Sequence, residues 1–294
     1  MVGQITAKSV KALRDKTGAG MMDCKRALGD AEGYLSKAVE LLRERGLAKA
    51  GKRGGRTTSE GAVSISVNGS TAAMIEVGCE TDFVARTDEF VGLGNELARL
   101  VAADPSIDGV DALSKASIDG ATAGDKVSAA IARLGENVVI KRLNRLDAGE
   151  AGIAGGYVHA GGNLAVIVTL ATEASGAELE ALAKDLAMHI AAADPTPVAL
   201  DRSDVDSALL DSERSIYRAQ AIQSGKPEKV IDKIVEGRIE KYLSEICVVE
   251  QAYVKDPDRT IGDLLRDAGK TAGAEIVVKG YQRYKLGEAD AGEA

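Results

Sequence analysis

The spacing of apolar residues changes near residue 60, and this change restricts the folds that the chain can adopt. Before it, four apolar residues follow the i, i+3, i+4, i+7 spacing of one helix face: Leu35, Ala38, Val39 and Leu42. After it, apolar residues alternate with period two over residues 63–67 and 75–79, which is typical of strands. We therefore predict a helical head over residues 1–47, a basic, glycine-rich linker over 48–60, and a body that contains strands.

The head is predicted to form three short helices. Thr6 is placed to cap the first helix, which carries Val10 and Leu13 on one face, and Gly18 is placed to end it. A second helix follows over residues 21–28, and the apolar stripe described above forms the third. The expected head is a small three-helix bundle.

The first half of the body, residues 61–146, is predicted to contain a strand hairpin followed by a helix. The Asn-Gly pair at 68–69 separates the two alternating segments and favours a tight turn, because both of its positions need positive φ. The helix begins at about Thr87 and ends before Pro105. Residues 104–125 show no pattern that assigns them to an element.

The second half, residues 147–286, repeats this order of elements. Paired strands are predicted over 156–159 and 164–170. Ser175 and Glu178 have the spacing of a capping box at the start of the next helix. Strands packed on helices in each half define an α+β fold.

Two long helical segments follow, joined by Gly-Lys-Pro at residues 225–227, and they predict an antiparallel helical hairpin over about residues 204–246. A further capping pattern begins at Thr260, and apolar residues at 276–278 indicate a last strand. The acidic tail, residues 287–294, is expected to be disordered.

Composition excludes several classes of protein. Among 294 residues there are only two histidines, His159 and His189, and three widely spaced cysteines, so neither a disulfide framework nor a zinc site is expected. We predict that the cysteines are reduced and mostly buried. No apolar run approaches the roughly 20 residues that span a bilayer, and no leader segment is recognisable, so we expect a cytoplasmic protein without membrane contact.

No enzyme signature is present. The sequence lacks a phosphate-binding loop, a dinucleotide-binding glycine motif, a nucleophile elbow and a zinc-protease motif. Neither histidine has a visible catalytic partner, and the position of His189 on a helix favours a structural role. A hydrolase or transferase activity is therefore not expected, nor is a bound cofactor or metal.

Charge is unevenly distributed. Residues 1–56 contain 13 lysines and arginines against 6 aspartates and glutamates, a net charge of +7. The formal net charge of the whole chain is −8, so the remaining residues carry a net charge of −15. The basic head admits an alternative function as a nucleic-acid-binding adaptor, whose affinity for RNA would fall steeply with salt. The basic run over residues 49–56 is more typical of a solvated linker, and stable nucleic-acid binding is not expected.

One segment between a strand and a helix is poorly explained by packing. Residues 79–86 are Cys-Glu-Thr-Asp-Phe-Val-Ala-Arg, with one of the two phenylalanines of the chain at position 83. Packing alone would assign Asp82 as the cap of the next helix and Phe83 as a core residue. The alternative is that the segment contacts a partner.

Two segments together resemble the signature motifs of the elongation factor Ts family. They are Thr-Gly-Ala-Gly-Met-Met-Asp-Cys-Lys-Arg-Ala-Leu at residues 17–28 and the segment 79–86, in the family's order and spacing. The resemblance continues through Ala-Met-His-Ile-Ala-Ala at 187–192 and Gln-Ser-Gly-Lys-Pro at 223–227. It implies a ubiquitin-associated-like three-helix bundle followed by two related α+β core subdomains with an inserted antiparallel helical hairpin.

The resemblance also implies a function. Members of this family are guanine-nucleotide exchange factors that bind elongation factor Tu, in its GDP-bound and nucleotide-free forms, during protein synthesis. The residues implied to displace magnesium from the partner are Thr81, Asp82, Phe83 and Val84. The residues implied to bind the partner elsewhere are Val10, Leu13, Met21, Met22 and His159.

Some of these assignments have a structural alternative. Val10 and Leu13, at helical spacing, are equally typical of core residues, whereas the adjacent Met21 and Met22 cannot both face inward. His159 is followed by Ala-Gly-Gly-Asn, without the basic residue expected in relatives near that position. The helical hairpin is expected either to associate with a second copy of the chain or to contact the partner.

Overall fold

The structure is a computed structural model that describes residues 5–288, apart from the side chains of residues 47, 49 and 50. It confirms the α+β class, with an all-helical head followed by helices and small antiparallel sheets. Positions 289–294 of the expected acidic tail lie outside the described residues. Glu288 lies inside them and forms an ion pair with Arg283 at 2.8 Å.

The head consists of three helices: α1 (Ala7–Thr17), α2 (Met21–Asp30) and α3 (Leu35–Arg53). As predicted, the Thr6 hydroxyl accepts a hydrogen bond from a backbone amide in the first turn of α1, at 3.1 Å. Gly18 ends α1 with a φ of 66°, a left-handed conformation that favours glycine. The buried side chains of the three helices form one cluster: Val10, Leu13, Cys24, Ala27, Leu28, Ala31 and Ala38.

Helix α3 is longer than the sequence indicates. It continues to Arg53, so the first part of the linker predicted over 48–60 is helical. Helix α7 (Ala123–Leu134) supports this extension, because the Arg53 guanidinium donates a hydrogen bond to the carbonyl of Ile131 at 3.0 Å. This contact with the body overrides the glycine-rich, linker-like composition.

The first half of the body is a three-stranded antiparallel sheet covered by helices. Its strands, in spatial order, are β1 (Glu60–Asn68), β2 (Thr71–Cys79) and β5 (Val139–Asp147). A tight turn joins β1 to β2 at the predicted place, but its central residues are Gly69 and Ser70 and not the predicted Asn-Gly pair. Asn68 is the last residue of β1, opposite Thr71, and of the pair Gly69 alone has a positive φ, 59°. A single turn of helix, α4 (Asp82–Ala85), precedes α5 (Asp88–Ala103), which begins at the predicted Thr87 cap.

The unassigned residues 104–125 form small elements that lead into α7. They contain α6 (Val110–Lys115) and a short hairpin of β3 (Ser117–Ile118) and β4 (Ala121–Thr122). Thr122 then caps α7 in a reciprocal box with Asp125. These elements were missed because two-residue strands and a six-residue helix leave almost no periodic pattern.

The second half has a sheet of strands β10 (Val277–Lys285), β7 (Leu164–Ala171) and β6 (Gly152–Val158), in that spatial order. Helix α8 (Ala177–Ala192) packs against it. The predicted capping box at Ser175 is wrong, because Gly176 precedes the helix without a side-chain cap. Its φ of 135° is a conformation that glycine adopts readily and serine does not.

The predicted helical hairpin is formed by α9 (Ser207–Gln223) and α10 (Glu228–Ile246). Apolar residues of α10 recur on one face and are buried: Ile231, Val235, Ile239, Leu243 and Ile246. A small hairpin of β8 (Ala252–Tyr253) and β9 (Asp256–Thr260) follows, and α11 (Ile261–Ala272) begins at the predicted Thr260 cap.

The two sheets pack face to face, so β2 is buried on both sides. Ala73, Ile75 and Val77 belong to the core that β2 shares with α5. The alternate residues Ala72 and Met74 belong to the cluster that joins the first sheet to the second. This arrangement explains why β2 is apolar at nearly every position, although its side chains alternate in direction.

A buried ion pair lies at this junction of the sheets. Glu76 of β2 is 5% exposed, and its Oε2 lies 2.7 Å from the guanidinium of Arg142 on β5. That guanidinium also lies 4.0 Å from the ring centroid of Tyr284 on β10, and it donates to the carbonyl of Lys285 at 3.1 Å. Arg142 therefore joins strands of both sheets.

Replacing Arg142 with methionine is expected to lower the free energy of unfolding by about 3–5 kcal/mol, because Glu76 would stay buried without its counter-charge. The double variant Glu76→Met/Arg142→Met should recover much of that loss, since it leaves no buried charge. Urea unfolding measures the free energy of unfolding of both variants.

Arg218→Met removes an exposed ion pair with Asp232 and serves as the control, with an expected loss below about 1 kcal/mol. Equal losses for the two arginine variants would contradict the assignment.

Candidate functional site

The segment between β2 and α5 presents an aromatic side chain to solvent. Phe83 is 81% exposed, whereas Phe90, the other phenylalanine, is 1% exposed in the core. The packing hypothesis that placed Phe83 in the core is therefore wrong. A solvent-exposed aromatic ring offers apolar area for burial against a partner.

The four signature residues lie on the single turn of α4 and its cap. The Thr81 hydroxyl accepts a hydrogen bond from the amide of Val84 at 3.4 Å, so Thr81 caps the turn instead of the predicted Asp82. Asp82 is the first helical residue and pairs with Arg86 at 3.0 Å. Val84 packs partly against the core of the first half. The turn thus exposes Phe83 while Val84 anchors it.

Two glutamates hold this turn against the end of α7. The Oε2 atom of Glu136 accepts from the amides of Glu80 (3.1 Å) and Thr81 (3.0 Å), and its Oε1 atom accepts from the Thr81 hydroxyl (2.6 Å). In return, Oε1 of Glu80 accepts from the amide of Asn137 at 2.6 Å. We call these four residues, Glu80, Thr81, Glu136 and Asn137, the loop clamp. The sequence analysis singled out neither glutamate.

The ionisation of the neighbouring groups follows from these contacts. The hydrogen bond from the Asn137 amide, followed by the charge of Arg56, holds the pKa of Glu80 below its usual range. Burial raises the pKa of the Cys79 thiol to about 11. The thiol therefore stays protonated, and it donates to the Thr81 carbonyl at 3.2 Å. At neutral pH Glu80 is therefore a carboxylate and Cys79 a neutral thiol.

A second apolar surface lies between α1 and α2. Met21 and Met22 are 59% and 62% exposed, so both face solvent, and they line a groove together with Val10. Charged groups border the groove: Lys11, Arg14, Asp15 and Lys25. Leu13 is fully buried in the bundle, so it supports the groove from inside and has no surface to offer a partner.

His159 lies on a different element, in the turn that follows β6. Its side chain is exposed, and its Nδ1 atom lies 3.0 Å from the hydroxyl of Tyr157. The same turn contacts the first sheet, because the carbonyl of Gly162 accepts from the amide of Val63 at 2.7 Å. The structure therefore brings Val10, Met21 and Met22 together in one groove, and places His159 and residues 81–84 elsewhere.

His189 is a structural residue, as predicted. It is 1% exposed, its Nε2 atom lies 3.0 Å from the Gln251 carbonyl oxygen, and its Nδ1 atom accepts from the Val254 amide at 3.3 Å. Because Nδ1 is an acceptor, the proton of the neutral ring lies on Nε2. Burial lowers the pKa of this imidazole.

The described part of the chain contains no group of three or more histidine, cysteine, aspartate or glutamate residues arranged to hold a metal ion. Between residues 5 and 288, no helix has both the length and the apolar character needed to cross a membrane. The three cysteines are free and buried, as predicted.

Comparison with known proteins identifies the family. Residues 80–288 match the family described as Elongation factor TS. The chain is 45% identical to Elongation factor Ts of Clostridium perfringens strain SM101 over 287 residues, which cover 97% of this chain and 93% of that protein. It is also 45% identical to Elongation factor Ts of Chlorobium phaeobacteroides strain BS1 over 292 residues, covering 97% and 100%.

These similarities define the chain as a translation elongation factor, a protein of the elongation stage of protein biosynthesis. Within that class, the chain belongs to the elongation factor Ts family. The matched region begins at residue 80 and so contains both the loop clamp and the exposed Phe83.

The depressed pKa of His189 makes a prediction about pH. In the unfolded chain the imidazole has its ordinary pKa of 6.5, so below that pH the unfolded state binds a proton that the folded state does not. Stability should therefore fall as the pH decreases below 6.5, until the folded-state pKa is reached. His189→Gln removes this titration and should flatten the dependence of unfolding free energy on pH below 6.5.

The reference for this measurement is His159→Gln, which removes an imidazole at an exposed position. Urea unfolding at several pH values gives the slope for each protein. An identical slope for wild type and His189→Gln would contradict the assignment of a buried neutral imidazole.

Proposed function

We propose that this protein is a guanine-nucleotide exchange factor that binds elongation factor Tu with GDP, displaces magnesium and GDP, and allows GTP to bind. The observation that carries the proposal is the exposure of Phe83 on a one-turn helix that the loop clamp holds in place. Membership of the elongation factor Ts family supports the choice of partner.

The turn acts as a wedge beside the magnesium and phosphate site of the partner. Magnesium neutralises the phosphates of a bound nucleotide, so its displacement removes a large part of the affinity for GDP. Phe83 enters an apolar pocket of the partner, and the Asp82 carboxylate competes for hydrogen bonds around the metal. Thr81 and Val84 hold these two side chains at the tip of the turn. The magnesium belongs to the partner.

The energetics require contacts beyond the wedge. An acceleration of ~10⁴ in nucleotide release needs about 5.5 kcal/mol of differential binding. Burial of a phenylalanine contributes roughly 1.5–3 kcal/mol. The groove lined by Val10, Met21 and Met22, together with His159, supplies a wider contact that favours the nucleotide-free partner. Because the coupling is reciprocal, GDP or GTP in turn weakens the complex.

This activity makes and breaks no covalent bond, so the protein is not an enzyme in that sense and needs no cofactor. It operates in the cytoplasm with elongation factor Tu as its partner, without stable contact to nucleic acid or membrane. The acidic body, which carries the excess of negative charge, supports this choice of a protein partner over RNA.

Phe83→Ala is expected to lower the maximum rate of GDP release about 10- to 100-fold, because the wedge loses the ring that it buries in the partner. Stopped-flow fluorescence with elongation factor Tu loaded with labelled GDP measures this rate. The unfolding free energy should hardly change, since Phe83 is 81% exposed in the free protein. Val277→Ala, at another exposed apolar residue, is the control. A folded Phe83→Ala protein with the wild-type rate would contradict the wedge.

The double variant Met21→Gln/Met22→Gln tests the head groove. We expect the concentration for half-maximal acceleration to rise about tenfold, while the maximum rate stays within about twofold, because these residues contribute binding and not displacement. The same stopped-flow titration gives both values. Val198→Gln, at an apolar residue with 59% exposure, is the control. A loss of maximum rate at unchanged half-saturation would reverse the assigned roles.

A further inference from the structure

The loop clamp holds the turn of residues 81–84 from outside. A four-residue helix is too short to be stable alone, because helix nucleation fixes several residues for one hydrogen bond. Within α4 and its caps, the contacts include the Thr81 hydroxyl to the amide of Val84, the Thr81 carbonyl to the amide of Ala85 at 3.2 Å, and the Val84 carbonyl to the amide of Arg86. Glu136 alone adds three hydrogen bonds at the start of the turn.

The loop clamp holds the turn in a conformation that exposes the Phe83 ring to water, which is unfavourable for an apolar side chain. An exposed phenylalanine in water tends to collapse onto nearby apolar surface, and a loosely held turn would allow it to do so. Glu136 instead accepts both amides that precede Asp82, at 3.1 and 3.0 Å, and thereby sets the direction in which the turn leaves β2. The turn therefore already has this direction in the free protein, before the partner binds.

The clamp also joins the turn to the segment that follows the head. The side-chain amide of Asn137 donates to the carbonyl of Arg56 at 2.9 Å. The guanidinium of Arg56 lies 3.3 Å from Oε2 of Glu80. The turn that carries the exposed ring and the segment that follows the head are therefore held by one set of polar contacts.

We infer that Glu136 is a positioning residue for nucleotide exchange, which preorganises the turn of residues 81–84 so that Phe83 meets the partner in its active direction. This inference rests on the proposed function and deepens it. Glu136 acts through the turn, because its two carboxylate oxygens are used by Glu80 and Thr81. Its contribution belongs to the displacement step and not to the initial affinity.

Glu136→Ala should lower the maximum rate of GDP release about 10- to 100-fold, while the concentration for half-maximal acceleration changes less than about twofold. Glu136→Gln should restore most of the rate. Its amide oxygen still accepts from the two backbone amides, and the Thr81 hydroxyl can accept from its amide nitrogen. Glu150→Ala, at an exposed glutamate between β5 and β6, is the matched control and should behave as wild type.

A double-variant cycle separates positioning from general damage. If Glu136 acts through the ring, Glu136→Ala should cause no further loss of rate in a Phe83→Ala background. Losses that simply multiply would overturn the inference. Urea unfolding of each variant reports whether the fold is retained.

Amide hydrogen exchange in the free protein gives a readout that needs no partner. The amides of Glu80 and Thr81 should exchange at least about tenfold faster in Glu136→Ala than in wild type, with strand β2 unchanged. Unchanged protection of these two amides would overturn the inference, as would faster exchange with an unchanged rate of GDP release. Failure of the wild-type protein to accelerate release at all would instead overturn the proposed function, and this role with it.

Discussion

The ion pair between Glu76 and Arg142 is the contact on which the arrangement of the body depends. It lies where two antiparallel sheets meet, with both charges largely removed from water. A buried pair of this kind tolerates little displacement, because any separation leaves a charge without compensation. Arg142 also covers the ring of Tyr284, so one side chain fixes the position of the second sheet relative to the first. The apolar contacts around the ion pair contribute buried surface area, whereas the ion pair fixes which residues lie opposite each other.

The fold could be predicted from sequence wherever an element has a strong period or a capping residue. The caps at Thr6 and Thr260 are local signals, and the structure has both. The stripe on α3 is confirmed for Ala38, Val39 and Leu42, which pack in the head, but not for Leu35, which is 39% exposed. A tight turn follows β1 as predicted, one residue later than the Asn-Gly pair indicated. One error occurs where a distant contact decides, because the extension of α3 depends on a carbonyl of Ile131, far away in the chain. Another is local, because the start of α8 depends on the conformation that Gly176 adopts.

The candidate site was predictable in part for the same reason. A motif of consecutive residues drew attention to Phe83, and the structure exposes that ring, but composition could not decide between core and surface. Glu136 escaped notice because its partners lie more than 50 residues earlier, as the separation of 55 residues from Thr81 shows. A lone glutamate after a helix looks like solvent-exposed charge until the fold brings it to the turn.

The burial of β2 on both faces has a mechanical consequence for the turn that follows it. The strand lies between β1 and β5, under α5 on one side and against the second sheet on the other, and its last residue, Cys79, directly precedes the clamp. A force on the tip of the turn is therefore transmitted to a strand that is buried on both faces. The turn is therefore rigid. When it contacts another surface, the more flexible of the two surfaces must change its conformation.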